Sequence, residues 1–121
     1  NGGLKNPHEC FQALETFDGV MVGRAAYYHP LIWQKIDETI YGDQGNNINA
    51  SKIIRNLIPY TNNHLTKGGR LWDICRHLLQ LVEGVPGAKK WRLELNLKAQ
   101  KASADITILE NAARQLEDAG L

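Results

Sequence analysis

Two glycine-bearing segments, Asn1-Gly2-Gly3 and Gly23-Arg24, carry residue types suited to holding a phosphate. Glycine lets the backbone approach an anion closely, and free N–H groups at a helix start complement its charge. Taken singly, each segment reads more readily as an ordinary turn than as a phosphate site. Their pairing, one helix and one strand apart, is what points to a phosphate. Charge gives a second signal. Residues 67–101 carry Lys67, Arg70, Arg76, Lys89, Lys90, Arg92, Lys98 and Lys101 against Asp73, Glu83 and Glu94, a local charge of +5 before His77. Residues 1–50 have the opposite balance, with Lys5, Arg24 and Lys35 against six carboxylates. In a chain whose total is only +1, that asymmetry suggests an anionic partner for the second stretch. A solvated helix face is the alternative.

Other chemistry finds little support. Cys10 and Cys75 lie 65 positions apart with no C-x-x-C spacing, which argues against a zinc ribbon or a disulfide scaffold. Both are expected to be buried structural thiols. His8, His29 and His64 have no partner at ligand or triad spacing and are expected at the surface or in structural roles, and no metal site is expected. Trp33 and Trp72 fall in helical patterns as core residues. Trp91, between Lys90 and Arg92, is expected to anchor its helix by packing rather than to stack on a base.

The elements that would position these residues follow from punctuation and periodicity. Asn6-Pro7-His8-Glu9 is a helix start, with Asn6 as cap, Pro7 in the first turn and Glu9 able to reach back. That helix should run to about Phe17, where Asp18-Gly19 breaks it. Gly19-Val20-Met21-Val22-Gly23 is a short apolar run between glycines, which predicts a buried strand. A helix feeding a buried strand is half of a β/α repeat. In β/α barrels the loops after the seventh and eighth strands commonly hold a phosphate. Arg24-Ala25-Ala26-Tyr27 opens a turn or short helix, and Pro30 starts another carrying Leu31, Ile32, Ile36 and Ile40. The polar, glycine-containing segment 41–47 is placed at a domain boundary.

From Ala50 onward the pattern is helical. Ile53, Ile54, Leu57, Ile58 and Leu65 mark one amphipathic helix, with Pro59 predicting a kink or break and Lys67-Gly68-Gly69 an end. Leu71 through Val82 reads as a second helix closed by Gly84. A third spans Ala88 to about Ala99. The last is capped by Ser103 or Asp105 and buries Ile106, Ile108, Leu109, Ala112, Ala113 and Leu116. The expected fold is therefore mostly α: the end of a TIM-type (β/α)8 barrel over 1–47, then a small helical bundle over 48–121.

Apolar content of 43% is ordinary for a globular chain, and no apolar run approaches the roughly 20 residues of a membrane span. The start lacks both an apolar leader and an initiator Met, which is read as a chain beginning inside a longer product. A reducing cytoplasm is the expected setting.

Asn1-Gly2-Gly3-Leu4-Lys5, then Asp18 through Tyr27 followed by Pro30, resemble the closing segment of the tRNA-dihydrouridine synthases. The resemblance continues through Tyr60 and Arg76-His77-Leu78-Leu79. It is sharpest in Gly84-Val85-Pro86-Gly87-Ala88-Lys89-Lys90-Trp91-Arg92, and it extends to Ala104-Asp105-Ile106 and Leu109-Glu110. The pattern is that of the A subfamily and covers essentially the whole chain. It implies an FMN enzyme that reduces uridine in the D arm of tRNA with NADPH. It also implies that Asn1, Gly2, Gly3, Gly23 and Arg24 match the FMN-phosphate segments, and that the helical half binds tRNA. Within that half, Lys89 and Arg92 align with tRNA-contacting positions, and Arg76, His77 and Lys90 are further candidates. Lys89 stands where Arg is usual, which keeps the charge but loses the two-pronged fork. Three apart on a helix, Lys89 and Arg92 share a face.

By the same resemblance the catalytic cysteine lies upstream of this chain, so no catalytic residue is expected here. The chain reads as the C-terminal part of the enzyme, inactive alone. A stand-alone helical RNA-binding module is the alternative, but it leaves the 19–23 strand without a sheet. A partner-binding helical domain without nucleic acid would need the basic residues scattered around the helices.

Overall fold

The computed structural model describes residues 2–45 and 47–121. Two compact units divide the chain, Asn1–Asn47 and Ile48–Leu121.

In the first unit, α1 (Pro7–Ala13) starts where Asn6 Oδ1 accepts from the Glu9 N–H at 2.9 Å. Glu9 reaches back one residue further than a capping box requires, accepting from the Lys5 N–H at 2.7 Å. Regular helix ends at Ala13, short of the expected Phe17, and separate turns carry the chain on to Phe17. The short helix α2 (Arg24–Tyr28) is followed by a 3-10 turn over Pro30–Trp33 and by α3 (Ile36–Tyr41). The single helix expected from Pro30 is thus two pieces. The Trp33 indole N–H donates to the Ala25 carbonyl at 3.2 Å and pins the 3-10 turn to α2.

The expected strand over 19–23 does not form, and no β-strand occurs among the described residues. A strand exists only by pairing, and no second strand is there to take its N–H and C=O groups. Met21 is accordingly 65% exposed. Cys10 is the only buried hydrophobic residue among those described in this unit, while Phe11, Phe17, Tyr27, Tyr28, Ile32 and Tyr41 are exposed.

The second unit has a core. Its long helix α4 (Ala50–Thr66) is capped by Asn49, whose Oδ1 accepts from the Lys52 N–H at 2.9 Å. Pro59, expected to kink or break the helix, lies inside α4 without breaking it. Its ring sits on the exposed side, so only one helix bond is forfeited, and packing on one face holds the rest. That face meets α7 (Ile106–Asp118), with Ile54, Leu109 and Ala113 fully buried. Asp105, one of the two expected caps, starts α7 by accepting from the Thr107 N–H at 3.0 Å. At the rim Arg55 pairs with Glu117 through two bonds of 2.8 and 3.0 Å, an exposed pair that adds little stability.

Between them lie α5 (Trp72–Cys75) and α6 (Ala88–Ala99), α5 packing on α6 and α6 on α7. The helix expected over 71–82 is regular for only one turn. Beyond Cys75 the chain advances by tighter bonds, from the His77, Leu78 and Leu81 N–H groups to carbonyls three residues back. Leu78, Leu81 and Val82 are still buried. The apolar spacing was satisfied by a chain of turns as well as it would have been by a helix.

Candidate nucleic-acid interface and phosphate segments

The basic residues expected to meet tRNA lie on two successive elements of the second unit, while Lys52, Arg55, Lys67, Arg70, Lys98, Lys101 and Arg114 lie at other places in it. Arg76 caps the end of α5, and His77 follows it in the turn, both exposed. Lys89, Lys90 and Arg92 lie in the first turn and a half of α6. Because α5 packs on α6, the Arg76–His77 turn belongs to the same helix pair. The start of α6 is unusual electrostatically. Gly87 caps it in the left-handed region (φ 84°), no side chain caps it, and its first turn holds no acidic residue. Two lysines thus stand at the positive end of a helix dipole, an arrangement that an anion stabilises.

At about 100° per residue, Lys89, Lys90, Leu93 and Leu97 project from the outer side of α6. All four are exposed, whereas Ala88, Trp91, Leu95 and Ala99 are buried on the inner side. Arg92 falls between and is half-buried, its Nη1 donating to the Val82 carbonyl at 2.7 Å. Sequence spacing put Lys89 and Arg92 on one face, but the structure turns part of the Arg92 guanidinium inward. The exposed Leu93 and Leu97 escaped the sequence reading, although apolar residues on both sides of one helix were their signal.

Trp91 is 6% exposed, and its indole N–H donates to the Ala112 carbonyl of α7 at 3.1 Å. It is a packed anchor. A cavity of about 340 Å³ lies beside it, with Val85, Pro86, Gly87, Lys90 and Gln115 among its walls.

The phosphate segments are less built. Gly3 is left-handed (φ 84°), and nothing lies within 4 Å of where a Cβ would stand on Gly2 or Gly3. Gly23 precedes α2 without a side-chain cap, so the Arg24 and Ala25 N–H groups open the helix unpartnered within it. Arg24 is exposed. Donors and one cation suited to a phosphate are therefore present at Gly23-Arg24, and Gly2-Gly3 has open backbone. Gly2, Gly3, Gly23 and Arg24 are all exposed. Asn1, the remaining candidate, lies outside the described residues.

Both cysteines are free and buried. Burial pushes the Cys75 thiol up to about 12. It also raises Cys10, helped by the adjacent Glu9 carboxylate. His64 has a partner that lies outside ligand and triad spacing: its Nε2 is 2.8 Å from Asp73 Oδ2. Asp73 also accepts from the Arg70 N–H at 2.9 Å, and these bonds hold its carboxyl below the usual range. Among the described residues no group of three or more metal-ligating side chains occurs, and no helix is long and apolar enough to cross a membrane.

With this geometry in place, comparison with known proteins is informative. The family model described as dihydrouridine synthase (Dus) matches residues 1–117. The chain belongs to the dihydrouridine synthase family. It is 41% identical over 118 residues to the tRNA-dihydrouridine(20/20a) synthases of Shigella flexneri and Escherichia coli K12. It is 35% identical over 117 residues to that of Pseudomonas putida. Each alignment covers 97–98% of this chain but only 34–35% of the relative. The chain thus spans about a third of the length of these curated relatives. The family match runs through both compact units, so the first is not an unrelated extension of a helical module.

Proposed function

We propose that this chain is the C-terminal part of a flavin-dependent tRNA-dihydrouridine synthase of the A subfamily, which reduces uridine in the D arm of tRNA. The observation that carries the reading is the alignment of nearly the whole chain with about a third of enzymes of that name. On this reading residues 1–47 close a TIM-type barrel, and the 19–23 segment becomes its last strand once neighbouring strands exist. The many exposed aromatic and aliphatic side chains of the first unit support this, because an isolated unit would not choose that surface.

FMN, reduced by NADPH, would supply the hydride chemistry. This chain's share of its site is the phosphate end: Asn1, Gly2, Gly3, Gly23 and Arg24. Backbone N–H groups would take the phosphate oxygens and the Arg24 charge would assist. The catalytic cysteine and the flavin-ring contacts belong to the remainder of the enzyme, so the chain alone is inactive. The proposed setting is the cytoplasm.

The second unit is the tRNA-docking part. Lys89, Lys90, Arg76 and His77 are proposed to face the RNA backbone, and the half-buried Arg92 stands beside them near the start of α6. Phosphate contacts of this kind position a protein on RNA without reading sequence.

Two measurements on the 121-residue chain test the proposal. Its tRNA affinity should fall linearly in log–log form with salt, with a slope of several released counterions. It should also purify colourless, because it holds only one end of the flavin. A flavin-loaded preparation, or no tRNA binding at low salt, would each count against the assignment.

A further inference from the structure

We infer that Arg92 serves the docking surface as a positioning residue, fixing the Val82–Gly87 turn beneath the start of α6, rather than as a phosphate contact. The inference rests on the tRNA-docking reading of α6 and assigns a role within it.

Three observations support it. First, Arg92 Nη1 donates to the Val82 carbonyl at 2.7 Å across ten positions, in a part-buried setting. A short bond from a charged donor is among the stronger neutral-acceptor contacts a protein makes, and it costs most to remove when buried. Second, Arg92 lies at the edge of the buried side of α6, half-buried, while Lys89 and Lys90 project outward and are exposed. Third, the turn it braces contains two glycines and a short set of backbone bonds. Gly84 and Gly87 both adopt the left-handed region (φ 69° and 84°). The backbone bonds that close the turn onto α6 are Ala88 N–H to Val85 at 3.1 Å and Trp91 N–H to Gly87 at 3.0 Å.

Val82 is 3% exposed, so its carbonyl end belongs to the core, and Arg92 ties the start of α6 to that fixed point. Lys89 and Lys90 follow this turn directly, in the first turn of α6. Loss of the brace would leave both lysines present but displaced.

The test compares Arg92→Ala, Arg92→Lys and Lys89→Ala in the full 121-residue chain. The readouts are affinity for a tRNA transcript as a function of salt, thermal midpoint, and backbone amide chemical shifts over residues 84–90. Lys89→Ala should lower the salt slope by about one unit and leave the turn amides in place. Arg92→Ala should weaken binding about ten-fold at every salt concentration with the slope unchanged, and should move the turn amides. Arg92→Lys keeps a donor of similar reach, and should return both affinity and amide positions most of the way.

A slope lowered by about one unit in Arg92→Ala, with the amides unmoved, would make Arg92 a direct phosphate contact and overturn the inference. A lowered thermal midpoint with affinity and slope intact would reduce it to a purely structural bond and overturn it as well. A wild-type chain that binds no tRNA would instead sink the docking reading, and with it any role of Arg92 there.

Discussion

Replacing Trp91 separates a packed anchor from a base-stacking platform, and its cost follows from the structure. The indole is 6% exposed and its N–H reaches the Ala112 carbonyl of α7 at 3.1 Å. Trp91→Phe removes that bond, worth about 1 kcal/mol net. It also leaves a void where the second ring stood, adding about 1–2 kcal/mol. The Ala112 carbonyl keeps its helix partner four residues on, so no buried acceptor is orphaned. Trp91→Ala should cost about 3–5 kcal/mol. Residues 48–121 form a unit of 74 residues, for which a total stability of about 4–11 kcal/mol is ordinary. Phe should therefore lower the urea midpoint clearly, and Ala should leave the unit close to unfolding. Helix circular dichroism against urea, with tRNA affinity measured below the transition, tests both. Suppose Trp91→Ala keeps the unfolding free energy within about 0.5 kcal/mol of wild type while tRNA binding disappears. The indole would then be acting on RNA, and the packing argument would be wrong.

Other substitutions follow from single observations. Pro59→Ala should stabilise the chain by about 1–3 kcal/mol, since a proline inside a helix costs about 3 relative to alanine; a loss of stability would mean α4 needs the proline to pack on α7. Asp73 has a folded pKa held below its ordinary value, first by the His64 bond and then by the Arg70 N–H. Its contribution is therefore present above the usual carboxylate range and lost as pH falls through the lowered value. Asp73→Ala should be less stable than wild type at pH 7, with the gap closing by about pH 2; a gap independent of pH would mean that these bonds do not favour the ionised carboxylate. A side chain on Gly69 would run into the His64 ring. Gly69→Ala should therefore be destabilising alone and close to neutral when added to His64→Ala, and additive costs in thermal denaturation would point to the backbone instead. Cys75, fully buried and raised to about 12, should resist iodoacetamide at about pH 8 until the chain unfolds; labelling of the native chain at a free-thiol rate would contradict its burial.

Much of the local structure was written in the sequence. Asn6, Asn49 and Asp105 carry their own capping chemistry, and each starts a helix where a side-chain oxygen meets backbone N–H groups within three residues. The apolar spacing of α7 named Leu109, Ala112, Ala113 and Leu116, which are buried, while Ile106 and Ile108, expected on the same face, are only half-buried near the start of the helix. The family was legible from ordered motifs spread along the chain, which do not depend on whether those motifs are folded against their neighbours.

What tertiary structure decided were the features whose energy comes from residues far apart in the chain. The 19–23 segment has a strand's composition, but pairing, not composition, makes a strand, and no partner is there. Pro59 reads as a breaker locally, yet burial of α4 against α7 outweighs one lost bond. The 71–82 segment reads as one helix, yet its buried residues are served as well by successive turns. Helical spacing put Lys89 and Arg92 together, but it could not foresee that the Val82 carbonyl, ten residues back, would claim the guanidinium. The sequence determined which residues could meet an anion. Only the fold determined which of them are left free to do so, because a buried carbonyl must find a donor before the surface is supplied.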